Sequence, residues 1–586
     1  MIGKVIYVSD SVAHVKVDMS KVATDLMNLH LVFEENGRRI LGEVSDISDE
    51  IIKTHFLGEI IDGKFNQGLI KKPSLNAQVR IIKSDEVDMI VGEQNSRSIL
   101  LGRSPLYDNH KISVDVNSLF SNHLAIFGNS GSGKSWGVAR ILQNIFEVQG
   151  FMPYKANIMM FDTFGEYHNA FKDINQKNSN YNFKFYSTAS EASPRDRLRV
   201  PLWLLNSEDI AILLSVTEHG QLPIIERMLK LVKVFSQDDD MAIKYMNHLI
   251  AKAIMTILYT NQTSSSKRND IFSIIASCST KEFNLEAPVA GVGYVRKFRE
   301  CFLIDNKGNF TESILLTKYV SSFIDDSLEA YEPTKETIYG LEDLEKALNF
   351  TLISEGLLRN DKSYNDAIAL KVRLHSLLVG KYSKFFEVDE YMTRENYISS
   401  IISARGKKAQ IINFNLEDVD DWFGKFVTKF YSRLLFEFTK GLSNRATIPF
   451  HLFIEEAHRF VQDDMDKKLF GYNVFERIAK EGRKYGMLIN MISQRPVDIS
   501  ETVISQCSNF LIFKMNHPRD LEYIKKMLPN ISAEVVEKQK TLQPGTCVAF
   551  GMAFKVPLVV KMKPPSPAPS SSNAEIYDNW GVSVEK

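Results

Sequence analysis

Eight consecutive residues, Gly128, Asn129, Ser130, Gly131, Ser132, Gly133, Lys134 and Ser135, carry the densest chemistry in the sequence. They satisfy the full G-x-x-x-x-G-K-[ST] pattern of a phosphate-binding loop, with an apolar strand pattern before it and a helical pattern after it. The glycines permit a tight loop whose backbone N–H groups converge on phosphate oxygens, and the helix N-terminus adds a field that favours negative charge. Lys134 is expected to reach the β and γ phosphates and the Ser135 hydroxyl to sit on Mg²⁺, with Trp136 completing the nucleotide-binding set. ATP and Mg²⁺ are therefore the expected ligands. A guanine-reading Asn-Lys-x-Asp motif does not occur.

A phosphate loop of this kind needs acids to hold the metal and activate water. The apolar run Phe450 to Ile454 delivers two of them, Glu455 and Glu456, to a strand's C-terminal end, where open α/β sheets bind ligands. Glu455 is expected to hold Mg²⁺ through a water, and Glu456 to orient and deprotonate the attacking water. Asp162 ends another apolar strand, Ile158 to Phe161, and is a third candidate acid, with Glu166 shortly beyond it. The segment Ile478 to Gly486 presents a cationic cluster, from which Arg483 is the candidate to stabilise charge on the transferring phosphoryl group, supplied from a neighbouring subunit. Gln494, at the end of the following strand, is the candidate γ-phosphate sensor.

These groups must be positioned by a sheet. From Asn122 onward, strand and helix patterns alternate, the signature of a parallel sheet covered on both faces. The first hundred residues instead carry short alternating runs (Val5 to Val8, Ala13 to Val17, Leu29 to Phe33, Ile40 to Val44, Gln78 to Ile82) broken by turn residues, which indicates a small β-barrel or sandwich. Ser207 reads as the N-cap of a long helical stretch interrupted by a polar linker at Asn261 to Asp270. The sheet pattern then resumes near Ala409, and Gly545 to Lys561 reads as two strands turning at Gly551. Pro564 to Asn573, rich in Pro and Ser, is expected to run extended over the surface. The expected divisions are a barrel at 1–105, a first core segment at 106–206, a helical insertion at 207–400, a second core segment at 401–562 and an extended tail at 563–586.

The 586 residues suffice for several domains. Charged residues make up 24% against 44% hydrophobic, the balance of a globular protein, and a formal net charge of -1 confines any DNA contact to a local patch or pore. Lys407 and Lys408 are candidates to line such a pore. The four cysteines, Cys278, Cys301, Cys507 and Cys547, show no zinc or disulfide spacing. Neither a signal core nor an apolar run of spanning length is apparent, so a cytoplasmic protein is expected.

In order along the chain, the phosphate loop, Asp162 to Tyr167, Ile454 to His458, Gly482 to Gly486 and Ser493 to Pro496 resemble the motifs of the HerA family of hexameric DNA-translocating ATPases, relatives of the FtsK DNA pumps. The resemblance extends to Leu101 to Ser104 at the end of the barrel, to Leu542 to Gly545 with Val556 and Pro557, and to the tail near Trp580. It implies a RecA-like P-loop core with an N-terminal barrel and a helical insertion, in a homo-hexameric ring with double-stranded DNA through its pore. It further implies Glu456 as catalytic base beside Glu455, Asp162 as a further active-site acid, Arg483 acting in trans (with Arg477, Arg459 and Arg405 also available), and the tail as a brace over a neighbouring subunit. Members of the family work with a partner, such as a NurA-type nuclease in DNA end processing or a sirtuin-like or other nuclease effector in bacterial antiviral defence. The barrel is the expected docking surface. A P-loop ATPase that serves as an assembly scaffold or switch, without moving DNA, is the alternative.

Overall fold

A computed structural model describes residues 1–18, 25–92, 95–107, 110–332, 336–355, 361–527, 539–571 and 576–580. It is a mixed α/β structure that divides into two compact units. One unit comprises Met1–Asp196, Ile398–Asp463 and Asn473–Lys586, and the other Arg197–Tyr397 with Asp464–Tyr472.

The first unit opens with seven strands: β1 (Gly3–Val8), β2 (Val12–Val17), β3 (His30–Glu35), β4 (Arg38–Ser48), β5 (Ile51–Ile61), β6 (Lys64–Gln67) and β7 (Gln78–Ile81). Their order is β2-β1-β7-β3-β4-β5-β6, and β2 also pairs with β5, so six strands close into a barrel with β6 as an added hairpin arm. Closure of so few strands demands strong coiling, and β4 supplies it through register breaks at Leu41/Gly42 and Val44/Asp46. Val5, Val15, Leu31, Phe33, Ile40, Ile52 and Val79 fill its interior.

The second sheet has eleven strands, ordered β12-β17-β11-β18-β19-β10-β20-β21-β22-β8-β9. In chain order these are β8 (Ser98–Arg103), β9 (Lys111–Asp115), β10 (His123–Phe127), β11 (Ile158–Asp162), β12 (Phe183–Ser187), β17 (Ile411–Asn415), β18 (Phe450–Ile454), β19 (Met487–Ser493), β20 (Cys507–Phe513), β21 (Thr546–Gly551) and β22 (Leu558–Lys561). Strands β12 to β20 in that order run parallel, and the last four alternate antiparallel. The parallel strands β10, β11 and β19 are buried along their whole length, which accounts for their apolar runs in place of alternation. Helix Lys134–Phe146 packs Val138, Ile141, Leu142 and Ile145 into the same core. A short hairpin, β15 (Ser403–Ala404) with β16 (Lys407–Lys408), precedes β17.

The helical unit contains helices Ser207–Leu213, Leu222–Phe235, Asp240–Leu258, Ser264–Cys278, Ser313–Ser321 and Leu341–Ser354, among others, and one hairpin of β13 (Pro288–Gly291) and β14 (Tyr294–Lys297). Among the described residues no helix is long and apolar enough to cross a membrane.

Several expectations need correction. The barrel sheet ends at Ile81, and β8, expected in the barrel segment 1–105, belongs to the central sheet because its hydrogen-bonding edge is completed by β9 and β22. The helical unit starts at Arg197 rather than at 207 and gathers in Asp464–Tyr472, which had been assigned to the core. The N-cap is Asn206, not Ser207: Asn206 Oδ1 accepts from Asp209 N and Asp209 Oδ2 from Asn206 N. The polar stretch at Asn261 to Asp270 is largely the exposed start of helix Ser264–Cys278, capped by Thr263 and held by buried Ile271, Ile274, Ile275 and Cys278 one turn apart. Lys408 does not face solvent: its ammonium donates to Ala156 O (3.0 Å), Asn157 Oδ1 (2.5 Å) and Ala409 O (3.1 Å), and burial pulls its pKa down to about 8. Residues 572–575 and 581–586 of the expected tail lie outside the described residues.

Candidate functional site

The P-loop leaves the C-terminal end of β10 between two neighbours. Gly128 N donates to Ser493 O (3.2 Å) at the end of β19, and Asn129 N to Lys514 O (2.9 Å) just past β20. Gly133 has φ +97°, and a Cβ there would stand 2.7 Å from Gly545 N, so neither the backbone nor the space admits another residue. Helix Lys134–Phe146 starts directly from it. Lys134 is buried and donates to Asn129 O (3.0 Å). Burial lowers its pKa, while Glu456, Glu455 and Glu166 oppose that by favouring the charged ammonium.

Two neighbouring strands deliver the acids to the same edge, since β11 pairs with β18 in parallel register. Glu455, one residue past β18, is buried, and its Oε2 accepts from Thr163 N (3.0 Å). Burial, reinforced by Asp162 and Glu166, holds its carboxyl well above the usual carboxylate range. Glu456 takes a left-handed backbone at φ +45°, an uncommon conformation for a residue with a side chain. Its Oε2 is buried and stands 3.1 Å from His458 Nδ1, which also lies 3.1 Å from Ser493 Oγ.

Asp162 is buried and held at both carboxyl oxygens. Its Oδ1 accepts from Glu166 N (3.0 Å), and its Oδ2 from Tyr167 N (3.0 Å) and Asn413 Nδ2 (2.9 Å). Both oxygens are thus engaged in shaping the turn that follows β11. That turn places Glu166 in the cavity. Burial raises the Glu166 pKa, opposed by the Ser135 hydroxyl that hydrogen-bonds its carboxyl and by Lys134. Its Oε2 is buried without a hydrogen-bond partner among the described residues.

A cavity of about 680 Å³ joins these groups. Ser130, Gly131, Gly133, Lys134, Ser135 and Trp136 line it with Glu166, Glu455, Glu456 and Gln494. Of the expected residues, Gly128, Asn129, Ser132 and Asp162 do not line it, and Arg483 is not brought there. Its guanidinium donates to Asn122 Oδ1 (3.0 Å) at the start of β10, whereas the P-loop leaves the other end. Five strand residues at ~3.3 Å each put the two about 17 Å apart along the strand. Arg459 instead lies near the cavity edge, over the ring of Phe164 (5.8 Å), which is itself a lining residue.

The sequence reading assigned no site role to a further set of lining residues, Pro544, Gly545, Met562, Lys563, Pro564, Ser570 and Ser571. A Pro/Ser-rich stretch has no periodicity that marks which surface it follows; the Gln543-Pro544-Gly545 turn, fitted against Gly133, was the available signal. Triphosphate and hydrated cation fit the donor set. Loop N–H groups and a buried ammonium share the cavity with three carboxyl groups, of which Glu166 Oε2 is buried without a hydrogen-bond partner among the described residues.

Residues 99–285 match the family described as Helicase HerA, central domain. The chain is 30% identical over 189 residues to the DNA double-strand break repair helicase HerA of Saccharolobus solfataricus, a match covering 32% of this chain and 37% of that protein. It is 22% identical over 554 residues to the protein of the same name from Pyrococcus furiosus, covering 93% of this chain and 82% of the relative. A probable helicase of Methanocaldococcus jannaschii aligns at 22% identity over 92% of this chain and 80% of its own. Among solved structures, VirB4 of Thermoanaerobacter pseudethanolicus aligns over 80% of this chain and 98% of that one, at 13% identity and a TM-score of 0.40.

Proposed function

This chain is a P-loop ATPase of the HerA kind, an ATP-hydrolysing enzyme, and from that premise we propose that it is a ring-forming motor that moves along double-stranded DNA. The observation that carries the proposal is the convergence of Lys134, Ser135, Glu166, Glu455, Glu456 and Gln494 on one cavity, from three adjacent strand ends and the loop after β11. A phosphate-binding site alone needs only the loop. Glu456, a lining residue of that cavity whose carboxyl stands 3.1 Å from His458 Nδ1, is suited to taking a proton from an attacking water.

The P-loop N–H groups and Lys134 bind the phosphates, and Glu456 orients the water in line with the γ-phosphorus. Ser135 and Glu455 would hold Mg²⁺, which supplies charge neutralisation on the β and γ oxygens. Gln494 stands at the end of β19, where it would register the presence of the γ-phosphate. Asp162 acts at one remove, shaping the turn that presents Glu166. Arg483 is assigned to the site of a neighbouring subunit in a homo-hexamer.

The names of the relatives point to DNA ends as the working context. We assign the barrel to docking a partner nuclease or defence effector, and the protein to the cytoplasm. The test is the ATPase rate with and without linear double-stranded DNA. A motor is expected to be stimulated several-fold. A rate indifferent to DNA, with nucleotide-dependent association with an effector, would replace the motor by a scaffold or switch.

A further inference from the structure

The phosphate end of the cavity is set by Lys134 and the carboxyl groups, yet the cavity extends past them to Trp136 and the start of the C-terminal tail. Its size falls in the range of sites that take whole small molecules. Trp136, in the first turn of helix Lys134–Phe146, is 41% exposed, and its Nε1 donates to Ser571 Oγ (3.2 Å).

The tail is fastened, not draped. Ser566 N donates to Gln143 Oε1 (2.9 Å), and Gln143 Nε2 returns a bond to Pro567 O (2.8 Å) from a buried position. Asn169 Nδ2 donates to Ala568 O (3.0 Å), and Ser570 N to Glu166 O (2.8 Å). At its root, Met562 N donates to Gly545 O (3.0 Å), and Gly545 N to Ser132 O (2.9 Å) in the P-loop itself. The segment is thus tied at one end to the phosphate loop and at the other to the backbone of an acidic residue in the cavity.

We propose that Trp136 and residues 563–571 of the same chain form the base- and sugar-binding wall of the nucleotide cavity, with the indole stacking on the heterocycle. This rests on the reading of the cavity as an ATP site. Phosphates on the loop leave the remainder of the nucleotide to the rest of the cavity, which Trp136 and residues 563, 564, 570 and 571 line. An indole supplies a π face to any base, and the Pro and Ser residues beside it supply apolar contact with hydroxyls for the ribose edge. This wall is part of the chain that owns the P-loop, so base recognition does not wait for a neighbouring subunit.

The experiment titrates Mg²⁺-ADP and Mg²⁺-tripolyphosphate into the full-length protein and its Trp136→Ala and Trp136→Phe variants by calorimetry. Trp136→Ala is expected to weaken ADP by about 5- to 100-fold, the range for removal of a base-stacking aromatic, and to leave tripolyphosphate binding unchanged. Trp136→Phe keeps the stack without the Ser571 bond and is expected to retain most of the ADP affinity. Gln143→Ala releases the strap and is expected to speed ADP dissociation without affecting tripolyphosphate. Unchanged ADP binding in Trp136→Ala, or equal loss of both ligands, overturns the proposal. Wild-type protein that binds neither ligand overturns the ATP-site reading beneath it.

Discussion

Glu455 and Glu456 are adjacent in sequence and opposite in environment. Glu455 is enclosed with two other acids and tied to Thr163 N, whereas Glu456 turns through a left-handed backbone and sets one oxygen 3.1 Å from His458 Nδ1. Such separation of neighbouring carboxyl groups divides labour between them. Glu456→Gln is expected to bind ATP as the wild type does and to lose on the order of 10²- to 10⁴-fold in turnover, measured by phosphate release against nucleotide titration. The Glu455 prediction concerns stability. Its folded-state pKa is raised, so its contribution is complete below the unfolded value and is lost as pH rises through the folded one. Glu455→Gln keeps the neutral form at all pH values; in the absence of nucleotide its melting temperature relative to wild type is expected to climb from pH 5 to pH 8. A difference that stays flat with pH would show that Glu455 is ionised throughout. The P-loop was legible because contiguous residues carry its geometry. Glu166 was weighed but left out of the expected site, because its direction depends on Asp162 spending both oxygens on the turn, and a turn sequence does not show which way its acid points.

Elements were legible wherever one environment covers a whole segment. The fully buried strands β10, β11 and β19 read directly as apolar runs. Mixed environments concealed the rest. Strands β5 and β6 were not singled out, since barrel closure and register breaks interrupt simple alternation. Helix Ser264–Cys278 begins with polar residues and buries only its second half, which disguises it as a linker. Lys408 is the clearest case: a lysine pair looks like a cationic surface, but one ammonium of the two is consumed by three acceptors of the first unit. Lys408→Ala strands those acceptors and is expected to cost about 1–3 kcal/mol of stability in a denaturant melt, with the DNA-stimulated ATPase rate of the folded protein unchanged. A selective loss of DNA stimulation with unaltered stability would return Lys408 to the pore.

At the scale of the whole molecule, the arginine assignment becomes a question of assembly. Arg483 sits by the start of β10 and the P-loop follows its end, so one chain cannot bring the two together without dismantling the strand. Arg483→Ala and Glu456→Gln proteins are each expected to be inactive alone. Mixed in equal amounts, they are expected to regain hydrolysis at about a quarter of the interfaces, those where an intact arginine meets an intact glutamate across a symmetric ring. No recovery in a mixture shown to co-assemble would exclude the trans role. The order of strands in the large sheet has a further consequence, for biogenesis. The strand that carries the P-loop pairs only with β19 and β20, made hundreds of residues later, and β8 must wait longer still for β22. During translation the barrel and the helical unit can each condense as they emerge, while the hydrophobic strand between them is held without a mate. A ribosome stalled between residues 397 and 487 therefore presents a chain with a finished barrel and no means of gripping a nucleotide, a natural client for holding chaperones.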